Sequence, residues 1–231
     1  MDIRGIIFDY GGTLDSRGDH WSEVIWRAYV AEGADVGRES FRSAYVHAER
    51  ALGRSGIIAR EDTFLAVMRK KIGIQSDYLS IDNPVLCEAI AMRCYAAARE
   101  CVEESAVTLR KLAEKYPLAI VSNFYGNLQT VLEDFGVAGL FRSVTDSGVA
   151  GVRKPDPEIF RLGLRSLGLE EEPQRVLVVG DSIDKDIIPA HRLGCLTALL
   201  PGIPWDSSQP QPPAPKETVV INNIAELGKL A

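Results

Sequence analysis

The sequence predicts an α/β fold: a parallel sheet with helices on both faces, interrupted near its start by an all-helical block. Three observations carry this. Short apolar, β-branched runs recur, and each stops at a polar residue: 3–8 at Asp9, 118–121 at Ser122 and 176–179 at Gly180-Asp181. From 103 onward such runs alternate with stretches of helical period. Between about 19 and 102 the periodicity is helical throughout.

The first strand, 3–8, delivers Asp9 and turns at once on Gly11-Gly12. In the helical block, Trp21, Val24, Ile25, Ala28 and Tyr29 share one face, as do Phe64, Leu65, Val67 and Met68. Gly33, Gly37, Gly53, Gly56, Gly73 and Asn83-Pro84 punctuate it into four helices. A helix over 105–115, with Ser105 as its cap, leads to a strand at 118–122. A helix at 127–135, a strand at 142–145 and a helix at 156–167 follow, the last with Asp156 as N-cap and Pro157 in its first turn. The chain closes with a strand at 175–179, a helix at 186–193, strands at 195–200 and 218–221, and a helix at 224–230. The division expected is a core of 1–15 and 103–231 and a helical cap of 16–102. Residues 201–215 are proline-rich and read as a stiff surface connection, partly polyproline.

Composition narrows the function. The chain has 231 residues and a net charge of -6, with no basic field suited to duplex nucleic acid. It shows neither a secretory leader nor an apolar run near the ~20 residues of a membrane span, so a cytoplasmic protein without nucleic-acid or membrane partners is expected. Cys87, Cys94 and Cys101 recur every seven residues, about 10.5 Å apart on a helix, too far for a disulfide or a shared metal. They read, with Cys195, as small buried hydrophobes.

Strands that end in polar groups place those groups at the carboxyl edge of the sheet, where open α/β sheets bind ligands. Asp9, Asp181 and Asp186 form three acids that repel one another unless a cation sits among them. Oxygen-only ligation points to magnesium. Lys154, held before Pro155, can place a point charge on an anion, and Ser122 with the following N–H groups can donate to it. Acid nucleophile, divalent cation, lysine and hydroxyl together describe phosphoryl transfer through an aspartyl-phosphate.

Four segments in order resemble the motifs of the haloacid dehalogenase superfamily: Phe8-Asp9-Tyr10-Gly11-Gly12-Thr13-Leu14, Val121-Ser122-Asn123, Lys154-Pro155-Asp156-Pro157 and Gly180-Asp181-Ser182-Ile183-Asp184-Lys185-Asp186. The resemblance implies a Rossmann-like core under a helical cap, with Asp9 as nucleophile. Ser122 and Lys154, with Gly12 and Asn123, would hold phosphate. Asp9, the Gly11 carbonyl and Asp181 would ligate Mg2+, with Asp186 direct or one shell out.

One position departs from the family. Its phosphatases usually carry a second aspartate as general acid and base where this chain has Gly11. Substitutes for it are His20 and Asp15 first, then Tyr10, Asp19 and Tyr125. His20 reads otherwise as a polar helix start. His47 and His191 read as surface or packing residues, and Asp184 as a helix-start charge. The expected activity is therefore magnesium-dependent hydrolysis of a small phosphomonoester, weakened on alkyl phosphates. The alternatives are a non-catalytic phosphate-ligand module, a dehalogenase (relatives with tyrosine at the Gly11 position) or a phosphonate-cleaving enzyme. The last needs a cap lysine for a Schiff base, and Lys70 and Lys71 read as surface residues.

Overall fold

The structure, a computed structural model, describes residues 2–54, 56–205 and 211–229. Six strands form one parallel sheet: β1 (Gly5–Phe8), β2 (Leu118–Ser122), β3 (Ser143–Asp146), β4 (Val176–Gly180), β5 (Leu196–Leu199) and β6 (Val219–Val220). Their order is β3-β2-β1-β4-β5-β6, so the chain steps outward to one side of β1 and then returns to its other side. That reversal opens a crevice at the carboxyl ends of the central strands.

Both faces are covered, which explains strands apolar at every position. Ile6, Phe8, Leu118, Ile120, Leu177 and Val179 point into one core, continuous with the helical insertion. Ile7, Ala119, Val121, Val176 and Val178 point into the other, against Ile159, Phe160 and Leu164 of helix Glu158–Leu167. A tight register fixes the site: Phe8 pairs with Ile120 on one side and Val179 on the other, so the strand ends lie level.

Four helices leave β1 and return to β2: α1 (Trp21–Ala31), α2 (Arg38–Leu52), α3 (Phe64–Leu79) and α4 (Pro84–Ala113). The other helices are α5 (Leu128–Asp134), α6 (Ser147–Ala150), α7 (Glu158–Leu167) and α8 (Ile188–Arg192). Asn83 caps α4 through Leu86 N–H, and Pro84 occupies its first turn. Helix α4 passes position 103 unbroken, so the expected separate helix at 105–115 does not exist and Ser105 is no cap. Its hydroxyl donates instead to the Leu14 carbonyl at 3.3 Å. No glycine or proline interrupts 85–115, and nothing else local could stop the helix.

Other boundaries shift modestly. Asp156 accepts from Glu158 N–H at 2.9 Å, as a cap would, but α7 begins only at Glu158, with Pro157 just before it. Before α8 the chain makes a π turn over Ile183–Ile187, and Ser182 is the residue whose hydroxyl caps it. Asp184 is exposed there and accepts from the Ser182 hydroxyl. The closing segment is a 3₁₀ turn over Ile224–Lys229, and Leu230 lies outside the described residues.

Of the proline-rich segment, 206–210 lie outside the described residues. The part before them is more than a surface connection, because it is fastened to the insertion. His20 N–H donates to the Ile203 carbonyl at 2.9 Å and Ile203 N–H to Asp19 at 2.8 Å. Trp205 lies against Tyr45 and His20, with its carbonyl accepting from Arg42 at 2.7 Å. Cys94, Cys101 and Cys195 are buried thiols, Cys87 is half-buried, and none forms a disulfide. Among the described residues no helix is long and apolar enough to cross a membrane.

Candidate active site

Asp9 leaves the end of β1 with its N–H still bonded to the Val179 carbonyl at 2.9 Å, which holds it in the sheet plane. Two turn glycines then let the chain fold across the sheet edge. Gly12 has φ of 102°, and a Cβ there would sit 2.6 Å from the Asp181 carboxyl, so only glycine lets the turn approach that acid. From β4, Gly180 admits Asp186 in the same way, with a Cβ 2.4 Å from that side chain.

The three acids converge: one oxygen each of Asp9, Asp181 and Asp186 lies within 4.8 Å of the others. Lys154 is buried between two of them, its Nζ 2.5 Å from Asp9 Oδ1 and 2.6 Å from Asp186 Oδ1. Ser122 Oγ donates to the same Asp9 oxygen at 2.8 Å. Thr13 Oγ1 spans the other side, 3.3 Å from Asp9 Oδ2 and 3.1 Å from Asp181 Oδ1. Asp9 thus presents Oδ1 to lysine and serine and Oδ2 to the Thr13 hydroxyl. Asn123 lies on the cavity wall and clamps the Lys154 backbone, accepting from its N–H at 2.8 Å and donating to its carbonyl at 3.0 Å.

One lysine does not balance three clustered carboxylates, of which Asp9 and Asp186 are buried and Asp181 is half-buried. Burial, then the charges of Asp186 and Asp9, push Asp181 well above the usual carboxylate range. Burial raises Asp186 to about 6, against the pull of Lys154. A divalent cation would remove that repulsion, and an all-oxygen, carboxylate-rich donor set is what Mg2+ prefers. The residues fit such an ion: Asp9, Asp181 and Asp186 converge on one locus, and Gly11 lines the cavity beside it.

The cavity above these acids measures about 230 Å³. Core residues form its floor, and Trp21, Tyr45, Phe64, Val67, Met68 and Lys71 of the insertion form its roof. The candidate acid–base residues separate here. His20 reaches the cavity wall, but its Nδ1 accepts from Ser22 N–H at 3.2 Å, capping α1. Burial, then Lys185 and Lys71, push its imidazole down to about 4, so it is neutral near pH 7. Asp15 does not reach the cavity. It accepts from Gly12 N–H at 2.8 Å and from Trp21 Nε1 at 2.9 Å, tying the catalytic turn to the roof. Tyr10 packs edge-on to Phe124, and Asp19 pairs with Arg27. Tyr125 does line the cavity, donating to Glu49 at 2.9 Å.

Two expectations need correction. Gly12 is no phosphate donor, since its N–H is committed to Asp15. Lys71 is not a surface residue: it is 4% exposed, with its Nζ 2.6 Å from Glu49 and over the Tyr45 and Tyr125 rings. Burial disfavours its charge, yet Glu49, Tyr125 and Tyr45 together hold its pKa well above the usual value. The sequence carried a signal for this. Lys71 follows Phe64, Val67 and Met68 at helical spacing on the buried face of α3. Lys70, one step round, is the surface residue and pairs with Asp62.

Burial raises Asp15 to about 7, only partly offset by its bonds from Gly12 and Trp21. Because the folded value exceeds the unfolded one, this group favours folding most at low pH, and that contribution is lost as pH rises towards 7. Its full size is roughly 4 kcal/mol. Asp15→Asn should therefore flatten the fall in stability between about pH 4 and pH 8, measured by urea unfolding. An unchanged slope would show that Asp15 ionises freely.

The family model described as haloacid dehalogenase-like hydrolase matches residues 3–194. The chain belongs to that family. This hydrolase is 34% identical over 119 residues to haloacid dehalogenase-like hydrolase domain-containing protein 3 of Bos taurus, covering 51% of this chain and 45% of that protein. It is 37% identical over 94 residues to the phosphoglycolate phosphatase of Aquifex aeolicus, covering 40% of this chain and 43% of the relative. The match therefore spans less than half the length of these relatives. The L-2-haloacid dehalogenase of Xanthobacter autotrophicus, solved with chloropropionic acid covalently bound, superimposes with a TM-score of 0.60 at 18% identity, over 99% of this chain and 98% of that one. At that identity the likeness establishes the fold.

Proposed function

We propose that this hydrolase is a magnesium-dependent phosphatase of small phosphomonoesters, in which residues 16–102 cap a core of 1–15 and 103–231. The carrying observation is the buried cluster of Asp9, Asp181 and Asp186 around Lys154. Mg2+ held by Asp9, Asp181, the Gly11 carbonyl and Asp186 would neutralise phosphate oxygens that otherwise repel a carboxylate. Lys154 and Ser122, now bonded to one Asp9 oxygen, are placed to transfer those bonds to an incoming phosphoryl group. Asp9 then attacks phosphorus as the ester P–O bond breaks, the alkoxide leaves and takes its proton from solvent water, and a second water hydrolyses the aspartyl-phosphate, releasing inorganic phosphate and restoring the carboxylate. Asn123 keeps Lys154 in place throughout. The roof narrows the space above the reacting atoms to a cavity suited to a small molecule.

Among the described residues, neither His20 nor Asp15 replaces the missing acid. Neutral His20, bonded at Nδ1, is poorly suited to protonating an alkoxide, and Asp15 is behind the wall. Substrates with good leaving groups should therefore turn over best. The test is phosphate release from p-nitrophenyl phosphate. Wild-type activity should require Mg2+, and Asp9→Asn should remove it by at least about 10³-fold. Activity that survives Asp9→Asn would overturn the reading.

The buried Lys71 supports a second reading, phosphonate cleavage through a lysine imine. Its pairing with Glu49 opposes it, because imine formation needs the free amine. Borohydride added with phosphonoacetaldehyde should leave p-nitrophenyl phosphatase activity intact. Irreversible inactivation would favour the phosphonate reading instead.

A further inference from the structure

Beside the catalytic cavity lies a second cleft of about 810 Å³. The two share Glu49, Asn123, Phe124, Tyr125 and Arg153 in their walls, so they adjoin. Arg50, in the last turn of α2, and Arg54 just beyond it line the side formed by the insertion, and Arg153 lines the core side. All three are exposed, and among the described residues none has a carboxylate partner. Glu49, the sole acid on the cleft wall, is already neutralised by Lys71. On a chain of net charge -6, three arginines without carboxylate partners line this one cleft, and Arg153 lines the catalytic cavity as well.

We infer that this cleft binds a second oxyanion of the substrate, distal to the phosphoryl group at Asp9. The inference rests on the phosphatase reading and narrows its substrate class to bis-anionic phosphomonoesters. Guanidinium forks match phosphate and carboxylate oxygens in pairs, and unpaired ones lose no internal partner when they do so. Arg153 adjoins Lys154, so one short segment of chain meets both ends of the substrate. Because the arginines are exposed, their contribution is moderate and screened by salt.

The test compares alkanediol monophosphates, from propanediol to hexanediol, with the matched bisphosphates and ω-carboxylates. Binding is measured calorimetrically on Asp9→Asn with Mg2+, and kcat/KM on the wild type. At one chain length the bis-anionic ligand should be favoured about tenfold or more, less so at high salt. Arg50→Ala with Arg54→Ala should abolish that preference, both side chains being exposed and removable without disturbing the core. Preference for bisphosphates alone would support a phosphate as the second group, and equal preference a carboxylate as well. No preference at any length, or one that survives the double substitution, overturns the inference. Binding contrast without phosphate release would refute the phosphatase reading and leave this inference standing.

Discussion

Replacing Lys154 by methionine should lower kcat/KM on p-nitrophenyl phosphate by about 10²–10³-fold and destabilise the metal-free protein by about 3–5 kcal/mol. Both effects come from one atom. Lys154 Nζ is the buried cation between Asp9 and Asp186, at 2.5 and 2.6 Å. Its removal leaves the buried Asp9 and Asp186 uncompensated, and breaking one side of a buried pair costs far more than making the pair gains. Methionine keeps much of the volume, which isolates the charge from the packing. Saturating Mg2+ should recover part of the lost stability, because an ion that binds only the folded state stabilises it by mass action. It should not recover the activity, since the lysine's bond to the phosphoryl group is gone. Urea unfolding with and without Mg2+, alongside initial rates, separates the two. A variant as stable as the wild type without metal would show that the acids are protonated and need no lysine.

Gly11→Asp should raise turnover of alkyl phosphates by up to about 10²–10⁴-fold, with much less gain on p-nitrophenyl phosphate. The sequence alone could not say whether a side chain fits there. In the structure a Cβ on Gly11 meets nothing within 4 Å, and the position lines the catalytic cavity. Its neighbour Gly12 is the opposite case, closed against Asp181. Gly11→Ala serves as the control, since it fills the position without supplying a proton. An aryl gain equal to the alkyl gain, or no gain at all, would mean that leaving-group protonation does not limit this enzyme.

The architecture was legible because both of its signals are local. Continuous apolar, β-branched runs marked six strands, period-3.6 patterning marked the helical insertion, and polar residues at strand ends located the sheet edge. Helix boundaries are less legible: serine is a capping residue type, but Ser105 stands in 85–115, which holds no glycine or proline to end the helix before it. The Asp156 side chain makes a cap-like bond, but the residue sits two places before the helix it was expected to start.

The sequence by itself determined which residue types stand at the ends of β1, β2 and β4, and hence that Asp9, Ser122 and Asp181 share one edge. Parallel pairing leaves no other arrangement once the strands are fixed in register. Only the tertiary structure decided which side chains reach the space above that edge. Asp15 and His20 are five residues apart, yet one is spent on Gly12 and Trp21 while the other faces the cavity. Lys71 was read as surface and is buried against Glu49 from another helix. Such outcomes depend on how separate elements pack, and burial and charge pairing across them are not written in any one segment.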